Sequence, residues 1–221
     1  MSCHFCDLVV EENRKLPEDY FLAESRSFYV KPGLGHFAEG YTLINSKCHL
    51  KSFSYFTEEE LAELSKVVSV ISARLREIYK CRVVAFEHGE VNGEYHPGCC
   101  LEHAHLHLLP LPEHIDDKLS LSFHRNNIHW LSELARYSID EISYLLYVDR
   151  NDEISVYHID TNLPSQFLRR EFCRRFEMND YWDWAVFPFR DSIGCFLERY
   201  ASESAVRGWR VNLDSEIFGS T

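Results

Sequence analysis

The chain has 221 residues, 45% of them hydrophobic, enough for one large core or a core domain with an appended subdomain. A net charge of −12 argues against general nucleic-acid binding and against an anionic membrane surface, since both repel it at long range. No apolar run approaches the roughly 20 residues that span a bilayer, and Met1-Ser2-Cys3-His4 opens no signal peptide, so a cytoplasmic protein is expected.

Eight irregularly spaced cysteines read as reduced thiols, with Cys3 and Cys6 at the spacing of two zinc ligands. Ser27 to Lys31 and Tyr41 to Asn45 read as strands on either side of the turn-rich Pro32-Gly33-Leu34-Gly35. Thr57-Glu58-Glu59-Glu60 has the form of a capping box and starts a helix. Leu61, Leu64, Val68, Ile71, Leu75 and Ile78 then give an apolar stripe that carries the helix to about Tyr79. Arg82 to Glu87 predicts another strand, and a loop from Gly89 to Gly98 follows.

His103-Ala-His-Leu-His-Leu-Leu109 alternates imidazole and apolar side chains. In a strand this turns His103, His105 and His107 to one face and Ala104, Leu106 and Leu108 into a core. Pro110 and Pro112 are expected to close that strand. The order predicts an α+β fold, a mostly antiparallel sheet with a covering helix, whose open face carries the histidines.

Beyond Pro112 the texture changes. His114 to Asn127 is polar and turn-like, and Trp130 to Tyr137 reads as a short helix. Ser143 to Asp149 and Ile154 to Ile159 form a hairpin around Arg150-Asn151-Asp152-Glu153. Pro164 sits at the first turn of a helix reaching Phe176, the Trp182-Asp183-Trp184 cluster reads as packing, and the last nine or so residues are expected to be loose. We therefore expect a domain over 1–112 and an α+β elaboration over 113–221 packed on it, with no hydrophilic linker between them.

The alternating histidines resemble the signature of the histidine triad superfamily of nucleotide hydrolases and transferases. The resemblance covers roughly residues 1 to 112. Phe86-Glu87-His88-Gly89, Gly98-Cys99-Cys100 and the stretch from Gly40-Tyr41-Thr42-Leu43-Ile44 through Lys47 to His49 match it as well, and Cys3 and Cys6 sit where zinc-bearing members carry their cysteine pair. It implies that His105 is a nucleophile toward an α-phosphate, giving a nucleotidyl-histidine that a second acceptor resolves. It also implies that His49 and His103 complete a structural zinc site with Cys3 and Cys6, that no organic cofactor is needed, and that chains pair as a homodimer.

His107, one repeat along the same face, is placed to hydrogen-bond a phosphate oxygen or to share a proton with the leaving group. Backbone amides around Gly98, Cys99 and Cys100 are expected to complete a phosphate cradle. Cys100 stands where many members of the superfamily carry a serine, which leaves the protonation of the leaving group open. Glu87 and His88 end a strand that enters this loop, where either orients the nucleophile or contacts a ribose. Gln166, Arg169 and Arg170 lie on a helix whose N-terminus and guanidinium forks suit polyphosphate, although a solvated helix face is the more common explanation for such arginines. Two other readings stay open: a nucleotide-binding or scaffolding protein of weak activity, and a catalytic metal centre built from the histidines.

Overall fold

The structure is a computed structural model that describes residues 3–98, 102–203 and 211–218. Its strands are β1 (Ala23–Glu24), β2 (Phe28–Pro32), β3 (Thr42–Ser46), β4 (Arg82–Gly89), β5 (His105–Leu111), β6 (Arg125–Ile128), β7 (Tyr144–Val148), β8 (Ile154–His158) and β9 (Val211–Asn212). They join in a single sheet of order β6-β8-β7-β4-β5-β3-β2-β1-β9. All pairings in it are antiparallel except that of β1 with β9. The helices are α1 (His4–Asp7), α2 (Glu58–Tyr79), α3 (Ala135–Ile139), α4 (Phe167–Arg175), α5 (Arg190–Glu203) and α6 (Asp214–Phe218), so the architecture is the expected α+β. No helix among the described residues is long and apolar enough to cross a membrane.

The capping box forms as read. Thr57 Oγ1 accepts from the Glu60 amide while the Glu60 carboxylate accepts from the Thr57 amide, and Lys80 at φ 53° ends α2 in the left-handed region. The apolar stripe of α2 buries Leu61, Leu64, Ile71, Leu75 and Ile78 against Val30, Ile44, Ala85, Leu106 and Leu108 of the sheet. Glu63 fastens this helix to the turn between β1 and β2. Its carboxylate accepts from Ser25 Oγ at 2.6 Å, from the Ser27 amide at 2.8 Å and from Ser27 Oγ at 2.9 Å.

The sheet runs through the boundary expected after residue 112. β7 pairs with β4, β8 and β6 follow outward from it, and β9 closes the far edge on β1, so the later half of the chain borders the earlier half on both sides. Pro110 does not end the central strand. It lies inside β5 opposite Val83, and it is tolerated because β3 pairs with β5 only as far as Leu108, leaving an edge on that side. β6 falls in the stretch read as polar and turn-like, where one face meets solvent. α4 starts three residues after Pro164, at Phe167, because Gln166 takes a positive φ of 59°. α5 was not anticipated, although Ile193, Phe196, Leu197 and Tyr200 recur at helical spacing and are buried. Of the tail expected to be loose, Asp214–Phe218 forms α6, with Ile217 buried, and residues 219–221 lie outside the described residues.

Removing the Glu63 carboxylate leaves three donors without their acceptor. Glu63→Ala is expected to cost about 2 kcal/mol, and calorimetry should show the thermal midpoint falling by roughly 4–8 °C. A fall under about 2 °C would mean that these bonds add no net restraint.

Candidate active site

The alternation around β5 holds. Ala104, Leu106 and Leu108 enter the α2 core, and the histidines face the other way. Two cross-strand rows lie on the histidine face. Phe86, His107, Leu43 and Lys31 oppose one another across β4, β5, β3 and β2, and His105, Asn45 and Tyr29 form the next row.

This face is not open, contrary to expectation. His105 is 6% and His107 8% exposed, because a second apolar cluster lies over them. Phe5 of α1 sets its ring 5.4 Å from those of His103 and His105, and Phe172 of α4 stacks on Phe86 at 5.3 Å. A cavity of about 300 Å³ remains beneath this cover, and His88, Gly98, His105, His107, Gln166 and Arg169 line it together with Phe5, Glu18, Asp19, Lys31, Leu43 and Trp184.

The acceptor that the sequence left unidentified for His105 is the carbonyl of His103. It lies 2.6 Å from Nδ1, so Nδ1 carries the proton and Nε2 the lone pair. Burial pulls His105 down to about 4 and His107 well below the usual imidazole range, so both rings are neutral near pH 7. His107 is held between the rings of Phe86 and Tyr41, at 4.3 and 5.8 Å, and its Nδ1 is 2.5 Å from the Tyr41 hydroxyl. His88 acts on the backbone instead, where its Nε2 accepts from the Leu168 amide at 3.1 Å and so caps the first turn of α4.

Arg169 is buried in the cavity wall. Its guanidinium donates to the carbonyls of Gly35 and Trp182 and lies 4.7 Å from the Phe37 ring centre, while Nη1 has no hydrogen-bond partner among the described residues. Gln166 turns at positive φ so that its amide meets the Gly98 carbonyl at 2.6 Å. Gly98 itself sits at φ 85°, and a Cβ there would come within 2.7 Å of the Pro164 carbonyl, so this close turn requires glycine.

Other expected contributors lie elsewhere. Arg170 does not line the cavity; it stacks over Trp182 at 3.3 Å and donates to the Ser165 carbonyl. Cys99 and Cys100 lie outside the described residues. Glu87 is turned by strand alternation to the α2 side of the sheet, where it accepts from the Phe53 amide and the Tyr144 hydroxyl, each at 2.8 Å. Lys31, Glu18 and Asp19 are lining residues that the sequence pattern did not single out, and Tyr41 and Trp184, the latter read as packing, join them there. For Lys31 the signal was present, since strand alternation from Tyr29 puts it on the histidine face.

One atom from each of Cys3, Cys6, His49 and His103 lies within 4.8 Å of all the others. Cys3 Sγ is 3.5 Å and Cys6 Sγ 3.6 Å from His103 Nδ1, Cys6 Sγ is 3.3 Å from His49 Nδ1, and the two Nδ1 atoms are 3.4 Å apart. A tetrahedron with zinc–sulfur and zinc–nitrogen bonds of ordinary length has edges of about 3.3–3.8 Å, and these four separations fall in that range. His103 Nε2 donates to the Ser46 carbonyl at 2.9 Å, which keeps Nδ1 free as a ligand.

No family model matches the chain, and no curated protein matches it. Among solved structures it is similar to a hypothetical histidine triad nucleotide-binding protein from Sulfolobus tokodaii strain7, at 23% identity and TM-score 0.42 over 62% of this chain and 92% of that one. It is also similar to a Hit-like protein involved in cell-cycle regulation from Bartonella henselae, at 15% identity and TM-score 0.41 over 60% of this chain and 91% of that one. A third similar structure is yeast Ap4A phosphorylase in complex with AMP, at 13% identity and TM-score 0.39 over 61% of this chain and 57% of that one.

Glu87 gives a test of the geometry away from the cavity. Burial pushes its carboxyl up to about 8, against the pull of its two donors. The unfolded chain titrates near the ordinary carboxylate value, so the contribution of Glu87 to stability is complete below about pH 4.5 and is lost as pH rises through 8. Glutamine mimics the protonated side chain. Thermal melts of Glu87→Gln should therefore match wild type near pH 5 and lie above it at pH 8.5; parallel curves at both pH values would place an ionised carboxylate in the folded protein.

Proposed function

We propose that the chain is a nucleotide hydrolase or nucleotidyltransferase acting at the α-phosphate of a nucleoside phosphate anhydride, ester or amidate through a covalent intermediate on His105. The observation that carries this reading is the His105 ring, neutral and buried in a cavity, with Nδ1 committed to the His103 carbonyl and Nε2 unprotonated. Attack by Nε2 forms a phosphorus–nitrogen bond as the bond to the leaving group breaks; the leaving group carries off the bonding pair and takes its proton from solvent. A second acceptor then reverses the displacement: water releases the monophosphate, and inorganic phosphate or a sugar phosphate gives a transferred product.

His107 serves the same phosphate. When the Tyr41 hydroxyl donates to Nδ1, the opposite nitrogen is a donor for a phosphoryl oxygen. Arg169 offers its uncommitted Nη1 as a buried positive charge for developing negative charge, and Gln166 and Gly98 bound the same space.

The test is product chromatography for wild type and His105→Ala. The substrates are adenine and guanine dinucleoside polyphosphates, phosphoramidates and nucleotide-sugars, with and without phosphate. Turnover is expected to fall on the order of a thousandfold or more in the variant. Monophosphate formed in water identifies a hydrolase; diphosphate formed only with phosphate identifies a phosphorylase. Nucleotide binding without turnover in either protein would replace the reading with that of a binding or scaffolding module.

Cys3, Cys6, His49 and His103 are proposed to hold one structural zinc. With its four positions filled, such an ion fixes the N-terminus against β5 without activating water. Elemental analysis should find one zinc per chain, retained in His105→Ala and lost in Cys6→Ser together with several degrees of thermal midpoint. Metal that leaves with the His105 imidazole would instead indicate a catalytic centre.

A further inference from the structure

The cavity extends well beyond the two histidines. Lys31 opposes Leu43, which opposes His107, so Lys31 stands two strand spacings, roughly 10 Å, along one row of the sheet. That span is comparable with the distance from the phosphorus of a nucleotide to the far edge of its base. Phe5, Leu43 and Trp184 line the same cavity and offer the apolar walls that a flat ring requires.

What lies at the Lys31 end is polar and only partly satisfied. Lys31 is 2% exposed and donates one hydrogen bond, to the Pro32 carbonyl at 3.2 Å, although an ammonium has three donors. Glu18 and Asp19 are buried in the same lining. Glu18 Oε1 pairs with Arg190 at 2.8 Å, while Oε2 has no hydrogen-bond partner among the described residues. Asp19 Oδ2 accepts from the Leu16 amide at 3.2 Å; Oδ1 has no such partner and lies 3.5 Å from His4 Nε2. Buried acceptors without donors are costly, so a ligand that supplies them is favoured.

We infer that Lys31, Glu18 and Asp19 form a base-reading subsite that selects guanine over adenine, an inference that rests on the nucleotide reading above. Guanine presents the acceptor O6 beside the donors N1–H and N2–H₂, complementary to one ammonium and adjacent carboxylate oxygens. Adenine presents one donor group beside the acceptor N1, which sets a lone pair against a carboxylate and leaves a buried oxygen unpaired. Burial draws Lys31 down to about 8, so it still carries most of its charge near neutral pH.

Calorimetric titration of the full chain with GMP, IMP and AMP tests this assignment. GMP should bind about tenfold or more tighter than AMP, with IMP, which lacks the N2 amine, between them. Lys31→Met should bring GMP affinity down toward that of AMP, and the double variant Glu18→Gln/Asp19→Asn should weaken GMP and tighten AMP, because an amide N–H can meet adenine N1 where a carboxylate cannot. The wild-type ratio is informative even where a variant does not fold. Equal affinities in wild type, with His105-dependent turnover intact, overturn the base assignment and leave the nucleotide reading standing. If none of the three nucleotides binds and no substrate turns over, both fall.

Discussion

A central strand that must bury both of its faces constrains the whole molecule. β5 lies between β4 and β3, with Leu106 and Leu108 fully enclosed on the α2 side. Its other face is also covered, yet it carries imidazoles. A buried polar ring is tolerated only when its nitrogens find partners and its charge is given up. His103 meets this requirement with the Ser46 carbonyl and the cysteine cluster, His105 with the carbonyl of His103, and His107 with the Tyr41 hydroxyl. The outcome is a row of neutral, oriented rings. Neutrality and orientation are what a histidine nucleophile needs, so the demand of folding and the demand of the proposed chemistry coincide.

The later half of the chain makes that burial possible. β7 extends the sheet beyond β4, and the hairpin of β7 and β8 gives α4 a floor through Leu145, Tyr147 and Tyr157. α4 then lays Leu168 and Phe172 over Phe86. Full burial of such side chains contributes about 2–3 kcal/mol each, enough to bring a cation in alongside them. Arg169 is that cation. It lies between the buried Leu168 and the half-buried Arg170, with carbonyls from Gly35 and Trp182 and the faces of Phe37 and Tyr41 offsetting part of its desolvation. Its remaining uncommitted nitrogen is a donor already desolvated, and for an anion that is a stronger partner than any arginine on the outer surface.

Much of this was legible in the sequence, and the rest was not for definite reasons. The period-two pattern of residues 103 to 109 and the 3.6-residue stripe of α2 are local signals, and both produced the expected elements with bounds good to one or two residues for most strands. The four cluster residues came together as the motif resemblance implied, across nearly a hundred positions of chain. Failures occurred where the deciding fact is non-local. Pro110 reads as a terminator until it is known that β3 has already left that side of β5. Glu87 and His88 are adjacent in sequence, and only the register of β4 shows that His88 shares the histidine face while Glu87 lies beneath it. Arg169 and Arg170 are equally plausible ligands by composition; a difference of one residue, about a hundred degrees around the helix, buries one in the cavity wall and leaves the other half-buried against Trp182. Lys31 drew no notice because a lone lysine in a strand is ordinarily a surface residue.

His103 joins the cluster to the proposed nucleophile. Its ring belongs to the cluster with Cys3, Cys6 and His49, while its backbone carbonyl holds the proton on His105 Nδ1. Phe5 repeats the connection from the opposite side: it lies between the two cysteines in sequence, its ring packs on both His103 and His105, and its carbonyl accepts from the buried Tyr29 hydroxyl at 2.8 Å. Phe5 and Leu8 bury themselves against the sheet while Val9, Val10 and Leu16 beside them stay partly exposed, so packing holds this segment at a few side chains only. The proposed zinc, bridging Cys3, Cys6, His49 and His103, would add a restraint there. It would also hold the chain at His103, whose carbonyl is the acceptor for His105 Nδ1. An ion so held would take no part in bond making yet would bear on which nitrogen of His105 attacks in the proposed reaction, because His103 would serve as ligand through its side chain while its backbone carbonyl accepts from Nδ1.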